Sequence, residues 1–134
     1  NAKRSKRHNT FDKMIKAQEL RLGNWVLFDV EEVYEQITAR RIGFISQANS
    51  KGHIHPFKPI PLTEDILLKC GFDKSSDGEH FFIGHFGFCL VYDGHDFCMK
   101  PRIIDDLVIA YSRHLHQLQN LYHALTGEEL QINL

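Results

Sequence analysis

Chemistry in this chain would have to come from its histidines, nine of them among 134 residues. His116, Asn120 and His123 stand at i, i+4 and i+7, a spacing that sets three side chains along one strip of a helix. Two imidazoles and an amide on such a strip can hold a ligand or pass a proton. A general acid–base pair also needs a carboxylate in a cleft. Glu64, Asp65, Asp105 and Asp106 are present, but no spacing ties them to the strip. A solvated polar helix face accounts for the same pattern and is the preferred reading. His53-x-His55 would set two rings on one side of an extended segment, as two zinc ligands require, but no third ligand follows at a recognised spacing. No metal and no cofactor are therefore expected. The phosphate-cradling glycine loops, the nucleophile elbow, paired-cysteine motifs and the HExxH zinc helix do not occur in the sequence. The leading reading is a non-catalytic binding or accessory module, with a protein partner or homo-oligomer as its counterpart. One alternative is a small histidine-dependent enzyme built on the His116/His123 face. A deep apolar pocket holding both histidines would favour the enzyme; a flat aromatic surface or a symmetric dimer would favour the module.

Charge adds a third reading. The chain carries a net −1, unevenly spread. In residues 1–16, six basic side chains stand against Asp12, a net of +5, which leaves −6 on the rest. Lys3, Arg4, Lys6 and Arg7 lead this stretch and are the candidate contacts of a nucleic-acid arm. The remaining chain offers no matching basic stripe, so a solvated tail is preferred to that arm. Residues 1–18 are read as this mobile arm and residues 19–134 as one α+β domain. Asn1-Ala2, with no initiator Met, reads as a cloning scar. No apolar run approaches the ~20 residues of a membrane span, and no signal peptide is seen. With three unmotivated cysteines, this predicts a cytoplasmic protein with no membrane contact.

The elements that must position these residues read as follows. Ser112 to Leu130 is the longest helical pattern, with Leu115, Leu118, Leu121, Tyr122 and Leu125 on one face, Ser112 as N-cap and Gly127 as the stop. Trp25 to Phe28, Val33 to Thr38 and Arg41 to Ser46 read as three strands. Thr63 caps a short helix that ends at Gly71. From Phe72 to Met99 the chain reads as hairpins, with turns at Ser75–Gly78 and Asp93-Gly94, and Leu107 to Tyr111 reads as a last strand. A two-residue loop at Asp93-Gly94 would pair Tyr92 with His95 and Cys89 with Cys98, and would gather Phe88, Leu90, Phe97 and Met99 on one face. The expected fold is thus α+β: an antiparallel, hairpin-rich sheet covered by one C-terminal amphipathic helix, with a short helix near 63–70.

Three sequence blocks carry a resemblance. Leu20-Arg21-Leu22-Gly23-Asn24-Trp25-Val26, Pro59-Ile60-Pro61-Leu62-Thr63-Glu64, and the run from His116 to Leu130 (HQLQNLYHALTGEEL) occur in that order. Together they resemble a group of small uncharacterised proteins of gut anaerobic bacteria and their phages and mobile elements. The resemblance covers about Leu20 to Leu130 and leaves the basic extension outside. It implies a cytoplasmic accessory protein linked to a phage or mobile element, and assigns no catalytic or binding residue.

Overall fold

A computed structural model describes residues 14–84, 86–104 and 107–134. Lys3, Arg4, Lys6 and Arg7 lie outside the described residues. The chain is α+β, with two antiparallel sheets, and its contacts divide it after Ile60 into two compact units.

The first unit begins, among the described residues, with a packed segment. Ile15 is buried, and a 3-10 turn follows at Ala17–Glu19. Residues 14–18, read from sequence as the end of a mobile arm, are held in place here. The Asn49 carboxamide accepts from the Ala17 N–H at 2.8 Å and donates to the Ile15 carbonyl at 3.4 Å. Strand β1 (Trp25–Phe28) pairs antiparallel with β2 (Val33–Gln36) around a loop at Asp29–Glu32, and with β3 (Phe57–Lys58) on its other side. Ile15, Val26, Ile37, Ile45 and Phe57 form the core of this unit.

The third expected strand does not form: Arg41 to Ser46 lies inside helix α1 (Ala39–Lys51). Ile42, Phe44 and Ile45 are β-prone, and Gly43 costs a helix about 1 kcal/mol relative to alanine, so local preference points to a strand. The ends and the burial outweigh that preference. Thr38 accepts the Arg41 N–H at 3.3 Å as N-cap, and Gly52 closes the helix in the left-handed region. Ile42, Ile45 and Ala48 turn one stripe inward at helical spacing.

The second unit is a five-stranded meander. Its order is β4 (Asp73–Lys74), β5 (His80–Phe82), β6 (Phe88–Tyr92), β7 (Phe97–Pro101) and β8 (Ala110–Ser112), all antiparallel. The edge strand β4 is two exposed charged residues; Lys74 forms an ion pair with Glu64. Helix α2 (Glu64–Lys69) has the expected cap, with Thr63 Oγ1 accepting the Ile66 N–H at 3.2 Å.

The β6–β7 loop is longer than expected. Tyr92 pairs with Phe97, Val91 with Cys98 and Cys89 with Lys100, leaving Asp93–Asp96 as a four-residue loop. The Asp93 carboxylate accepts from the N–H groups of His95 (2.9 Å) and Asp96 (2.8 Å), and the Asp93 N–H donates to the Asp96 carbonyl at 3.0 Å. An aspartate that folds the backbone around its own side chain in this way favours the wider turn. Cys89 and Cys98 are therefore diagonal neighbours, not a facing pair, and all three cysteines are free thiols. The register moves by two residues, so no side chain changes face. Leu90, Phe97 and Met99 are buried as expected.

Helix α3 (Leu115–Thr126) packs on this sheet, with Tyr122 against Phe86 at 5.1 Å and Phe86 against Phe88 at 5.1 Å. It starts three residues beyond Ser112, which instead ends β8. The Gln117 side chain carbonyl accepts the N–H groups of Arg113 (2.9 Å) and His114 (3.0 Å) and so caps the first turn. Gly127 stops the helix in the left-handed region, as expected. The buried face is turned from the predicted one. It is formed by Leu115, His116, Leu118 and Gln119, while Leu125 is 42% exposed. Past the helix, Leu130 is buried and the Asn133 N–H donates to the Lys69 carbonyl at 3.0 Å.

Candidate binding face

The residues expected to do chemistry do not converge. His116 is fully buried and its ring stacks on that of His114 at 5.9 Å. Asn120 is half-buried. His123 lies toward solvent, with Nε2 3.9 Å from a Glu129 carboxylate oxygen. Glu129 was not among the carboxylates considered from sequence. His53 and His55 separate as well. His55 is buried, donates from Nε2 to the Ile15 carbonyl at 2.8 Å and accepts the Phe57 N–H at Nδ1 at 3.2 Å. Both ring nitrogens are used, which fixes the neutral tautomer and leaves no lone pair for a metal. His53 instead lines a cleft of about 510 Å³ with Lys16, Ser46 and Asn49.

Cys70 and Cys98 are poor nucleophiles. Burial pushes Cys70 up to about 12. Cys98 is raised by burial and then by Asp93, whose carboxylate accepts its S–H at 3.4 Å. A thiol held protonated attacks slowly.

One group with metal-ligand chemistry was not singled out from sequence. Ligand atoms of Asp77, Glu79 and His80 lie within 4.8 Å of one another at the β4–β5 turn. The turn itself accounts for this cluster. The Ser75 hydroxyl and the Glu79 N–H both donate to Asp77, and His80 Nδ1 lies 3.4 Å from its other oxygen. These donors, Ser75 first, lower the Asp77 carboxyl from 3.8 to about 2.

What the second unit does assemble is a surface. One face of the sheet packs against α3. On the other, the register sets His80, Val91, Cys98 and Tyr111 in a row across four strands. Cys89 and Cys98 on this face are buried. His80 stacks on Phe82 at 6.1 Å, nearly parallel, and the Arg102 guanidinium lies over the Phe82 ring at 4.6 Å. The face ends at β8, which pairs only with β7 among the described strands. Along this edge Leu107, Ile109 and Tyr111 alternate outward at 48%, 40% and 60% exposure. Tyr111 lies within β8, and Leu107 and Ile109 lead into it, with the Ile109 N–H donating to the Met99 carbonyl at 2.9 Å. Tyr111 also borders a small polar cleft of about 240 Å³ with Asp96, Arg113, His114 and Gln117. In it Arg113 Nε donates to Asp96 at 2.7 Å, a bond that raises the guanidinium pKa. Sequence reading assigned Leu107 to Tyr111 to a strand but did not identify it as an edge, because edge position depends on the order of all five strands.

No protein-family model, curated protein or solved structure matches this chain.

Proposed function

We propose that this chain is a non-catalytic binding module that engages a protein partner across the open face and β8 edge of its five-stranded sheet. Exposed Tyr111 on the edge strand β8, with exposed Leu107 and Ile109 in the segment that leads into it, carries this reading. Contiguous exposed apolar side chains beside unpaired strand edges are the usual material of protein interfaces, with tyrosine prominent among the anchors. The sequence resemblance extends the reading to a cytoplasmic accessory protein linked to a phage or mobile element. A histidine-dependent reaction has less to support it, since His116 is buried while His123 faces solvent. Lys3, Arg4, Lys6 and Arg7, the candidate contacts for nucleic acid, lie outside the described residues.

Photo-crosslinking tests the proposal. A benzophenone amino acid replacing Tyr111 is expected to give a discrete protein adduct in cells. The same group replacing Val30, an exposed residue of the first unit, is expected to give none. Absence of an adduct at 111, or an identical pattern at 30, would overturn the reading.

A further inference from the structure

We infer that a pocket at the hairpin end of the five-stranded sheet binds a free, small organic cation, an ammonium ion with an apolar body. The pocket lies on the face opposite the row His80, Val91, Cys98 and Tyr111, so the inference stands apart from the protein partner proposed for that row.

The walls are aromatic. Phe81, Tyr92 and Phe97, one from each of β5, β6 and β7, alternate with His80, Val91 and Cys98 and so share the other face. With Leu62, Glu64 and Gly78 they line a cavity of about 360 Å³. That volume falls at the low end of the range for small-molecule pockets, roughly 300–1,000 Å³, and suits a whole small ligand. Phe81 stands nearly edge-on to Phe97 at 6.0 Å, and Tyr92 is tilted to Phe97 at 5.2 Å. Rings set at such angles form a corner, not a stack. The Tyr92 hydroxyl donates to the Gly94 carbonyl at 3.0 Å, which ties down a residue that is 55% exposed. The faces of aromatic rings carry negative partial charge and attract cations.

The charge at the rim has the matching sign. Among the described lining residues Glu64 alone is charged. The unit around it is acidic: among its described residues, nine Asp and Glu stand against five Lys and Arg. A negative potential focused on a cleft raises the local concentration of cations.

The chain also seats an ammonium of its own at this rim. Lys74, on the edge strand β4, forms an ion pair with Glu64. On its way it runs along Gly78, where an added Cβ would stand 3.4 Å from Lys74 Cε. Both side chains of the pair are nearly half exposed, and ion pairs so exposed are weak. A ligand ammonium can therefore displace Lys74 from Glu64 while its apolar body fills the aromatic corner. Lys74 is then an internal competitor for the site.

Choline is the probe, titrated into the full chain and followed by amide NMR. Saturable shifts are expected at Gly78, Tyr92 and Phe97, and none at Tyr111. The neutral isostere of choline, with tert-butyl in place of trimethylammonium, is expected to bind about fivefold more weakly or worse. Glu64→Gln and Tyr92→Leu, both at exposed positions, are expected to keep the circular dichroism spectrum and to weaken choline binding by about threefold or more. Lys74→Met is expected to tighten it by about twofold or more, because the competitor is gone. Lys100→Met removes the same charge from the opposite face and is expected to change nothing. No saturable shift at the pocket amides, equal binding of the isostere, or equal tightening by Lys74→Met and Lys100→Met would overturn the inference. A capped peptide carrying trimethyllysine that binds more tightly than choline would overturn the free small molecule as the occupant.

Discussion

Single residues decide the rotation of α3. Leucine counting alone assigns Leu118 and Leu125 to one buried stripe, yet Leu118 is fully buried and Leu125 is largely open. Leu118→Ala should cost roughly 2–5 kcal/mol, as core truncations do, and Leu125→Ala under about 1 kcal/mol. Urea denaturation of the two variants checks the difference. His116 and Gln119 occupy the buried positions that leucine counting could not reveal, because a polar residue enters a core only where tertiary partners receive it. Asp77 gives a residue-scale prediction with a definite sign. Its folded carboxyl lies near 2 against an ordinary 3.8, so its stabilising effect is full above about 3.8 and is lost as pH falls through about 2. An NMR titration should place the Asp77 midpoint clearly below that of an ordinary aspartate. Ser75→Ala should move it back up by removing the leading donor.

At the scale of elements, the first described segment is more than a tail. Ile15 sits in the core of the first unit, and three side-chain bonds from Asn49 and His55 hold residues 15–17 against α1 and the 53–57 segment. A chain starting at Glu19 should therefore lose several kcal/mol of stability, and Ile15→Ala alone roughly 2–5 kcal/mol. A chain starting at Met14 should melt close to the full length. Thermal melts of the three compare them directly; equal melting for the Glu19 start would show that Ile15 contributes little. The same scale shows what sequence could and could not reveal. The Thr63 cap, the Gly127 stop and the turn at Ser75–Gly78 were legible because each rests on the chemistry of one or two adjacent residues. Helix α1 was not legible, because its β-prone middle is overruled by burial that only the packed chain supplies. The β6–β7 register was half legible: the face of every residue came out right, and the loop length did not. Parity follows from alternation along the strand, whereas loop length depends on how Asp93 spends its carboxylate. Removing one residue from Asp93–Asp96 should leave a three-residue loop that keeps the strand register at a cost in stability. Removing Gly94 and His95 together should leave a folded, less stable chain, as circular dichroism of the two deletions would show. Of the candidate site, the row from Leu107 to Tyr111 was visible as a strand, but its exposure was not.

Across the whole molecule, no described helix is long and apolar enough to cross a membrane. The charge balance sets a further expectation. Residues 17–134 sum to −6, so any retention on DNA should depend on the basic stretch before them and fall steeply with salt. Filter binding with and without residues 1–13 tests this, and salt-insensitive binding by the shortened chain would locate a nucleic-acid site elsewhere. The unequal edges of the five-stranded sheet bear on growth. A sheet with two receptive edges can add copies without limit, which is the geometry of a fibre. Here β4 carries Asp73 and Lys74, which oppose an added strand, whereas Ala110 and Tyr111 of β8 carry no charge. A second copy added through β8 would leave a copy of β4 at each outward end of the joined sheet. Addition at this sheet would then stop after a single step. Replacing Asp73 and Lys74 with valine and threonine would make both edges receptive, and such a protein should convert from a finite species to filaments.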